Sequence, residues 1–220
     1  MDFEAARVKM VDNQVRTTDV TSHSVLTAFL TVRREAFVPE KAKVLAYIDN
    51  DIEIAPATAG NPGRFLMEAS PLAKLLQLAA ITKDDAVLEV GAGTGYASAL
   101  LSLIAGSVVA LESDETLAAE AKANLAGYVN VQVVTGALEK GNAAGALYDL
   151  IFINGSVEEV PAALLGQLQD GGRLVVVQGY GNAARAKVFV SERGAVSENV
   201  FFNASVKPLP GFAKLREFVF

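Results

Sequence analysis

Residues 86–96 read AVLEVGAGTGY, an apolar run that leads directly into three alternating glycines. The next residues, ASALLSL at 97–103, are compatible with a helix. This order predicts a strand, a tight glycine-rich turn and a helix, which together open a doubly wound nucleotide-binding sheet. Glycine suits such a turn because the backbone adopts angles that other residues resist, and because a ligand must approach the main chain closely.

The spacing of the glycines separates two classes of cofactor. A dinucleotide fingerprint, G-x-G-x-x-G, would have its third glycine at position 96, where this chain has Tyr96. The third glycine is instead Gly95, and Glu89 stands two residues before the first, Gly91. The G-x-G-x-G form with an acidic residue ahead of it resembles the first motif of S-adenosylmethionine-dependent methyltransferases.

A second apolar run supports a nucleoside-containing ligand. It reads SVVAL at 107–111 and ends in Glu112. In a parallel sheet this carboxylate would lie at the carboxyl edge, beside the ligand crevice. Gly91 and Glu112 are 21 positions apart, close to the offset of about 20 expected for an acid that binds ribose hydroxyls. We therefore expect Glu112 to bind the ribose, and the alternative is a solvated residue at a strand end.

The composition excludes several classes of protein. The 220 residues are 51% hydrophobic and carry a net charge of −6, which argues against a partner bound through nucleic-acid phosphates. There is no cysteine and a single histidine, so no disulfide, thiolate nucleophile or multi-histidine metal site is expected. No apolar run reaches about 18 residues, so no membrane span is expected, and a cytoplasmic location follows as the default.

The first part of the chain is predicted to be helical. Apolar spacing predicts helices at 3–16 and 22–34, the second capped by Asp19 or Thr21. An irregular segment follows at 40–64, and Ser70 before a proline is expected to cap another helix. These features predict an N-terminal helical segment with a substrate-side loop over 1–64, and a cofactor-binding domain over 65–220.

From residue 86 onward, predicted strands alternate with predicted helices. The strands are expected at 86–90, 107–111, 129–134, 147–153 and 172–177, and the helices at 95–104, 114–125 and 158–168. β-type runs follow at 185–191, 196–203 and 215–220. The pattern predicts an α/β fold: a doubly wound, Rossmann-like methyltransferase sheet with an N-terminal helical extension and a C-terminal antiparallel hairpin.

Further segments extend the resemblance along most of the chain. They read MVDNQVR at 10–16, VLTAF at 25–29, VRREAFVP at 32–39 and GGRLV at 171–175. Together with the glycine motif, they resemble the protein-L-isoaspartate O-methyltransferase family. The resemblance implies methyl transfer from S-adenosylmethionine to the free carboxylate of isoaspartyl residues in proteins or peptides, which starts their repair. It implies that the cofactor, or the product S-adenosylhomocysteine, contacts Glu89, Gly91, Ala92, Gly93, Gly95, Glu112, Ser113, Ala137, Leu138 and Asn154.

The chain departs from the family pattern at functional positions. FLMEA at 65–69 replaces a Thr-Ile-Ser-Gln-Pro-like segment, so Met67 takes the place of a hydroxyl beside the methyl group, with Ser70 nearby but out of register. Ala137 replaces an aspartate that contacts the adenine in the family, and Asn154 begins a polar NGS in place of a small apolar run. Arg64 is a further substrate-side candidate, since its guanidinium could pair with a substrate carboxylate, and the alternative is a surface salt bridge.

Three functions remain open from the sequence. The first is methyl transfer to a carboxylate acceptor. The second is a regulatory or binding role for a homologue that keeps the cofactor but has lost the acceptor site, which a pocket closed by Phe65 or Met67 would favour. The third is a nicotinamide-dependent oxidoreductase, against which Tyr96 and the lack of a Tyr-x-x-x-Lys pair both argue.

Overall fold

The predicted alternation of strands and helices is present in the computed structural model, which describes residues 1–59 and 61–213. The strands of the described chain are β1 (Ile52–Ala55), β2 (Arg64–Leu66), β3 (Ala86–Val90), β4 (Ser107–Glu112), β5 (Val131–Thr135), β6 (Tyr148–Val157), β7 (Leu168–Gln178), β8 (Arg185–Glu192) and β9 (Ala195–Asn203). The α-helices of the same ranges are α1 (Phe3–Met10), α2 (His23–Thr31), α3 (Ala69–Leu78), α4 (Tyr96–Ser102), α5 (Glu115–Asn124) and α6 (Ala162–Leu165).

The main sheet has the order β5-β4-β3-β6-β7-β8-β9. Its first five strands in that order are parallel, and β8 and β9 add to the edge as an antiparallel hairpin. This confirms the predicted fold class. The chain runs outward from β3 to β5 and then returns to the other side of β3 as β6, so the strand order reverses there. Ligands of doubly wound sheets bind in the crevice at the carboxyl ends of the strands that flank such a reversal.

Both faces of the sheet are buried, which explains why its central strands are apolar at consecutive positions. Phe152 of β6 belongs to a cluster that also holds Met10, Phe29 and Leu100, so the N-terminal helices cover this face. The neighbouring residue, Ile153, faces a second cluster with α6 and the chain near residue 209.

The N-terminal helices are shorter than predicted. After α1 the chain continues as a π-helical turn, Val11–Val15, and a 3₁₀ turn, Arg16–Thr18, and it then leaves the helical path at Asp19, which has a φ of 64°. The prediction that Asp19 or Thr21 caps α2 is wrong, because the N-cap residue is Ser22 and its side chain makes no capping bond. The Gln77 side chain of α3 holds the residues just before α2: its Oε1 accepts from the N–H groups of Thr21 and Ser22 at 2.7 and 2.8 Å.

Other boundaries also differ from the prediction. Helix α3 begins at Ala69, so Ser70 lies in its first turn instead of capping it. The predicted helix at 158–168 is reduced to the four residues of α6, because β7 begins at Leu168. Helix α5 begins close to its predicted position: Asp114 caps it, and the Asp114 carboxylate accepts from the N–H groups of Thr116 and Leu117 at 2.8 and 3.0 Å. The strand predicted at 215–220 lies outside the described residues.

The segment predicted to be irregular contains a small sheet. β1 pairs with β2 in antiparallel register, with Ile52 opposite Leu66 and Ala55 opposite Arg64. This hairpin straddles the proposed domain boundary at residue 64, and the division of the chain at that point stays a prediction. Within the described ranges, none of the helices combines the length and the apolar character needed to cross a membrane.

Candidate active site

The glycine turn after β3 has the backbone geometry that its sequence predicted. Gly91, Gly93 and Gly95 have φ angles of 88°, 58° and 96°, all in the left-handed region that favours glycine. The N–H groups of Gly91 and Ala92 donate to the carbonyl of Leu111 at 2.9 and 3.1 Å. The turn is therefore fixed against the end of β4, the strand that carries the predicted ribose acid.

Glu112 lies fully buried at the carboxyl end of β4, directly beside the glycine turn. Its Oε2 accepts from the N–H of Gly93 at 2.7 Å, and its Oε1 accepts from the N–H groups of Ser113 and Asp114 at 2.8 and 3.0 Å. Backbone donors thus hold this carboxylate in the crevice where the strand order reverses.

The structure places Arg64 on Glu112 and not in an open substrate pocket. Its Nη1 and Nη2 donate to the two carboxylate oxygens at 2.5 and 2.8 Å, and only 7% of Arg64 is exposed. The cause is the β1–β2 hairpin, which the sequence did not reveal and which brings Arg64 over the end of β4. The expected pairing with a substrate carboxylate would require the guanidinium to leave Glu112.

A second buried carboxylate, Glu89 of β3, joins α4 to β6. The Ser98 hydroxyl donates to its Oε2 at 2.5 Å, and the Asn154 amide donates to its Oε1 at 2.9 Å. Burial raises the pKa of Glu89 to about 7, and the two hydrogen bonds oppose that rise only in part. The Oδ1 atom of Asn154 is also buried, and it has no hydrogen-bond partner within the described part of the chain. An acceptor in that state suits a donor group of a ligand in the crevice.

The raised pKa of Glu89 predicts a loss of stability with rising pH. The folded protein holds the Glu89 proton more tightly than the unfolded chain does. The resulting contribution to the free energy of unfolding is complete below the ordinary pKa of 4.5 and is lost as the pH rises through about 7. The loss should amount to about 3 kcal/mol. Urea unfolding of the native protein and of Glu89→Gln from pH 4.5 to 8 would measure it. The native protein should lose stability relative to the variant across this range, and parallel curves would contradict the expectation.

Two cavities lie on either side of the glycine turn. The larger one, of about 560 Å³, is bounded by residues 113–116 and 137–139, by Pro210 and Gly211, and by Ala55, Pro56, Thr58, Asn61 and Pro62. Ala137 and Leu138 both line it, and only 1% of Leu138 is exposed. The smaller cavity, of only about 10 Å³, extends along the turn on the Met67 side. The crevice is therefore open towards the expected adenine position and closed towards the expected methyl position.

Met67 and Ser70 have different surroundings. Met67 lines the smaller cavity together with Phe65 and Ile54. Ser70 lines neither cavity, and its hydroxyl donates to the Thr18 hydroxyl at 3.1 Å. Of the two residues, Met67 is the one that the structure brings to the glycine turn.

Sequence reasoning missed Arg34, which supports the Met67 side of the site. The side chain is fully buried, its Nε donates to the Ala46 carbonyl and its Nη2 donates to the Met67 carbonyl, each at 2.8 Å. Its guanidinium also lies 4.9 Å from the centre of the Tyr96 ring, and burial lowers its pKa. In the VRREAFVP segment Arg34 stands between Arg33 and Glu35, so the neighbouring sequence gives no signal that its side chain is buried.

The fold and the site define a class of protein. A doubly wound sheet with a G-x-G-x-G turn after its first parallel strand, and a buried acid at the end of the next strand, is the architecture of Rossmann-like S-adenosylmethionine-dependent methyltransferases. A family model described as Protein-L-isoaspartate(D-aspartate) O-methyltransferase (PCMT) matches residues 5–207. The chain belongs to the protein-L-isoaspartate O-methyltransferase family, whose methyl donor is S-adenosylmethionine.

Individual relatives agree with this assignment. A protein from Koribacter versatilis named protein-L-isoaspartate O-methyltransferase is 34% identical over 211 residues, covering 95% of this chain and 92% of the relative. A protein of the same name from Rhodopseudomonas palustris (strain ATCC BAA-98 / CGA009) is 39% identical over 188 residues, covering 84% and 83%.

Solved structures share the fold. One named protein-L-isoaspartate O-methyltransferase has a TM-score of 0.79 at 26% identity, covering 93% of this chain and 66% of the other. A Plasmodium falciparum structure described as a beta-aspartate methyltransferase (PCMT) in complex with S-adenosyl-L-homocysteine has a TM-score of 0.76, covering 95% and 98%. Its identity of 16% supports the fold alone.

Proposed function

We propose that this chain transfers the methyl group of S-adenosylmethionine to the carboxylate of an isoaspartyl residue in a protein or peptide. The observation that carries the proposal is the 2.7 Å hydrogen bond from Gly93 to Glu112. It joins the glycine turn and the buried acid into one crevice at the point where the strand order reverses, and the family assignment supplies the reaction.

The residues of the crevice suit this cofactor. Glu112 and Ser113 would hold the ribose, and the backbone of Ala137 and Leu138 would hold the adenine. The glycine turn, Gly91 to Gly95 with Ala92 between them, would carry the amino-acid end. Glu89 and the unpartnered Oδ1 of Asn154 lie next to that end. S-adenosylmethionine supplies a methyl group that is bound to a positively charged sulfur. After transfer, the sulfur is part of a neutral thioether, and S-adenosylhomocysteine is the leaving group.

The chain's contribution to transfer would be to position the acceptor and exclude water. A carboxylate acceptor is ionised at neutral pH, so no side chain has to remove a proton from it. Such a displacement depends chiefly on alignment of the reacting groups in a crevice from which water is excluded. Ile54, Phe65 and Met67 line the cavity beside the glycine turn and would exclude water there.

A transfer assay tests the proposal directly. The native protein is incubated with labelled S-adenosylmethionine and either an isoaspartyl peptide or its normal aspartyl isomer. Methyl ester should form on the isoaspartyl peptide alone. Binding of S-adenosylhomocysteine by calorimetry without transfer to either peptide would contradict the proposed activity and leave the cofactor site intact.

One observation favours a second function, in which the chain binds the cofactor without transferring its methyl group. The cavity on the Met67 side measures only about 10 Å³, and Phe65 and Met67 both line it. This is the closed arrangement that the sequence analysis associated with a regulatory or binding role. Cofactor binding without transfer in the assay above would be the expected result of this function.

Met67→Ser is expected to increase transfer to isoaspartyl peptides. A hydroxyl at this position could hold the acceptor carboxylate, and a shorter side chain would enlarge the small cavity. A hydrogen bond to a charged group made in the transition state corresponds to roughly a ten- to hundred-fold gain in kcat/KM. Steady-state kinetics with the isoaspartyl peptide would measure the gain.

Ser70→Ala is the matched control for this experiment, because Ser70 donates to Thr18 and lines neither cavity. It should leave the kinetics unchanged. Strong native activity that disappears in Ser70→Ala would show that Ser70, and not Met67, occupies the hydroxyl position of the family.

The proposal includes a cytoplasmic location and no nucleic-acid partner. The net charge of −6 supports the second point, because a net negative protein is repelled by the phosphate backbone of a nucleic acid.

A further inference from the structure

The carboxylate expected to bind the cofactor ribose is already saturated by protein donors. Glu112 accepts from the N–H groups of Gly93, Ser113 and Asp114, and both of its oxygens accept from Arg64. A carboxylate offers about four lone-pair sites. Ribose hydroxyls can therefore bind Glu112 only if a donor leaves, and the Arg64 side chain is the donor that can leave without unfolding the glycine turn or the start of α5.

We propose that Arg64 exchanges carboxylates during the reaction: it pairs with Glu112 in the free protein, is displaced by the cofactor ribose, and then binds the carboxylate of the acceptor. This rests on the function proposed above. It makes Arg64 a gate for the cofactor and a specificity-determining residue for an acidic acceptor.

The position of Arg64 in the chain suits both partners. Arg64 lines the larger cavity, whereas the next residues, Phe65, Leu66 and Met67, line the smaller cavity on the methyl side. The residue thus stands between the two cavities. Its strand is anchored to β1 at Ile52 and Leu66, with a register irregularity between Glu53 and Ala55. A change in the Arg64 side chain therefore does not require the hairpin to separate.

The charges around the crevice leave an acceptor carboxylate few other partners. Among the described residues that line the two cavities, Arg64 is the only basic one, and Asp114, Glu115 and Glu139 are acidic. Behind the small cavity lies Arg34, which is fully buried and donates to the Met67 carbonyl at 2.8 Å. A second cation, Lys207, is half-exposed, and its Nζ lies 5.1 Å from the centre of the Phe65 ring and 3.9 Å from an Asp51 oxygen. Without Arg64 this acidic lining would repel a substrate carboxylate.

The exchange predicts an order of binding. The guanidinium becomes available to the acceptor only after the ribose has taken Glu112, so the cofactor binds first and strengthens binding of the acceptor. Because coupling between two sites is reciprocal, the acceptor should strengthen cofactor binding by the same factor.

The test uses Arg64→Gln, with Lys207→Gln as a matched control that removes a nearby, half-exposed cation. Calorimetry measures binding of S-adenosylhomocysteine, and initial rates with saturating S-adenosylmethionine give the KM for an isoaspartyl peptide. Arg64→Gln should bind S-adenosylhomocysteine about ten-fold more tightly and show a peptide KM about ten-fold higher, since it removes one charged hydrogen-bond partner in each case. Lys207→Gln should change neither value.

Arg64→Lys keeps the charge and loses the bidentate geometry. It should fall between the native protein and Arg64→Gln on both measurements, and it provides the test if Arg64→Gln fails to fold. Opposite effects on two ligands are not expected from a residue that only stabilises the fold.

The following results would overturn the inference. One is that both Arg64 variants bind S-adenosylhomocysteine no more tightly than the native protein. Another is that the variants bind it more tightly but show an unchanged peptide KM. If the peptide KM rises in Lys207→Gln and stays unchanged in the Arg64 variants, the acceptor carboxylate binds Lys207 and not Arg64. If neither the native protein nor any variant binds S-adenosylhomocysteine, the proposed function fails as well, whereas native binding without a gain in the variants rejects the exchange alone.

Discussion

Glu112→Ala is expected to abolish measurable binding of S-adenosylhomocysteine and to lower the free energy of unfolding by about 3–5 kcal/mol. The truncation leaves the Arg64 guanidinium, which is only 7% exposed, without a carboxylate. It also leaves the N–H groups of Gly93, Ser113 and Asp114 without their acceptor. Removing one partner of a buried ion pair costs more than the pair itself contributes, because the remaining charge stays buried.

Urea unfolding and calorimetry on the same preparations would check both effects. Adding Arg64→Gln to Glu112→Ala removes the unpaired charge, so the double variant should recover part of the lost stability without recovering cofactor binding. A double-mutant cycle isolates this coupling between Arg64 and Glu112. A loss of less than about 1 kcal/mol in Glu112→Ala would show that the pair contributes little in solution.

Local patterns in the sequence were sufficient to predict most of the fold. The glycine turn needs left-handed backbone at three alternating positions, and Asp114 caps the helix that follows it in the chain. Each of these signals depends on residues a few positions apart. The alternation of such units, and their apolar runs, was sufficient to predict a parallel sheet with an antiparallel hairpin at its edge.

Contacts between distant residues explain what the sequence did not reveal. Gln77 holds the chain just before α2 by a hydrogen bond from a residue 56 positions away, so no residue next to α2 could predict this contact. Arg64 and Glu112 are separated by 48 positions. The two short strands that bring them together, β1 and β2, lie in a segment whose turn residues indicated only a loop.

The sequence predicted the candidate site to a similar extent: it indicated single residues but not the contacts between distant ones. Family resemblance predicted a cofactor site around the glycine turn and a replaced hydroxyl at Met67, because it compares single positions, and both stay predictions. It could not reveal that the cavity on the Met67 side is nearly closed, because that depends on the packing of Ile54 from β1 against the turn. It also could not reveal that Glu112 is saturated by an internal arginine.

Gly93→Val is expected to weaken binding of S-adenosylhomocysteine by at least about 100-fold while the protein stays folded. Gly93 has a φ of 58°, and a Cβ added there would lie 2.8 Å from Cδ1 of Ile54, on the side of the small cavity where the ligand would approach the turn. The end of the Ile54 side chain can move to relieve that contact, but only by filling the same space. The left-handed backbone costs a residue with a side chain about 1–2 kcal/mol, which a folded domain of this size can tolerate.

Gly171→Val is the matched control for this cost. Gly171 has a φ of 81°, an added Cβ there meets nothing within 4 Å, and the residue lies outside the cavity linings. Both variants should lose similar stability in urea unfolding, and only Gly93→Val should lose the cofactor in calorimetry. Unchanged affinity in Gly93→Val would mean that the ligand does not pass along this turn. Global unfolding of Gly93→Val alone, seen by circular dichroism, would instead assign Gly93 a structural role, because the strain shared with Gly171 could not account for it.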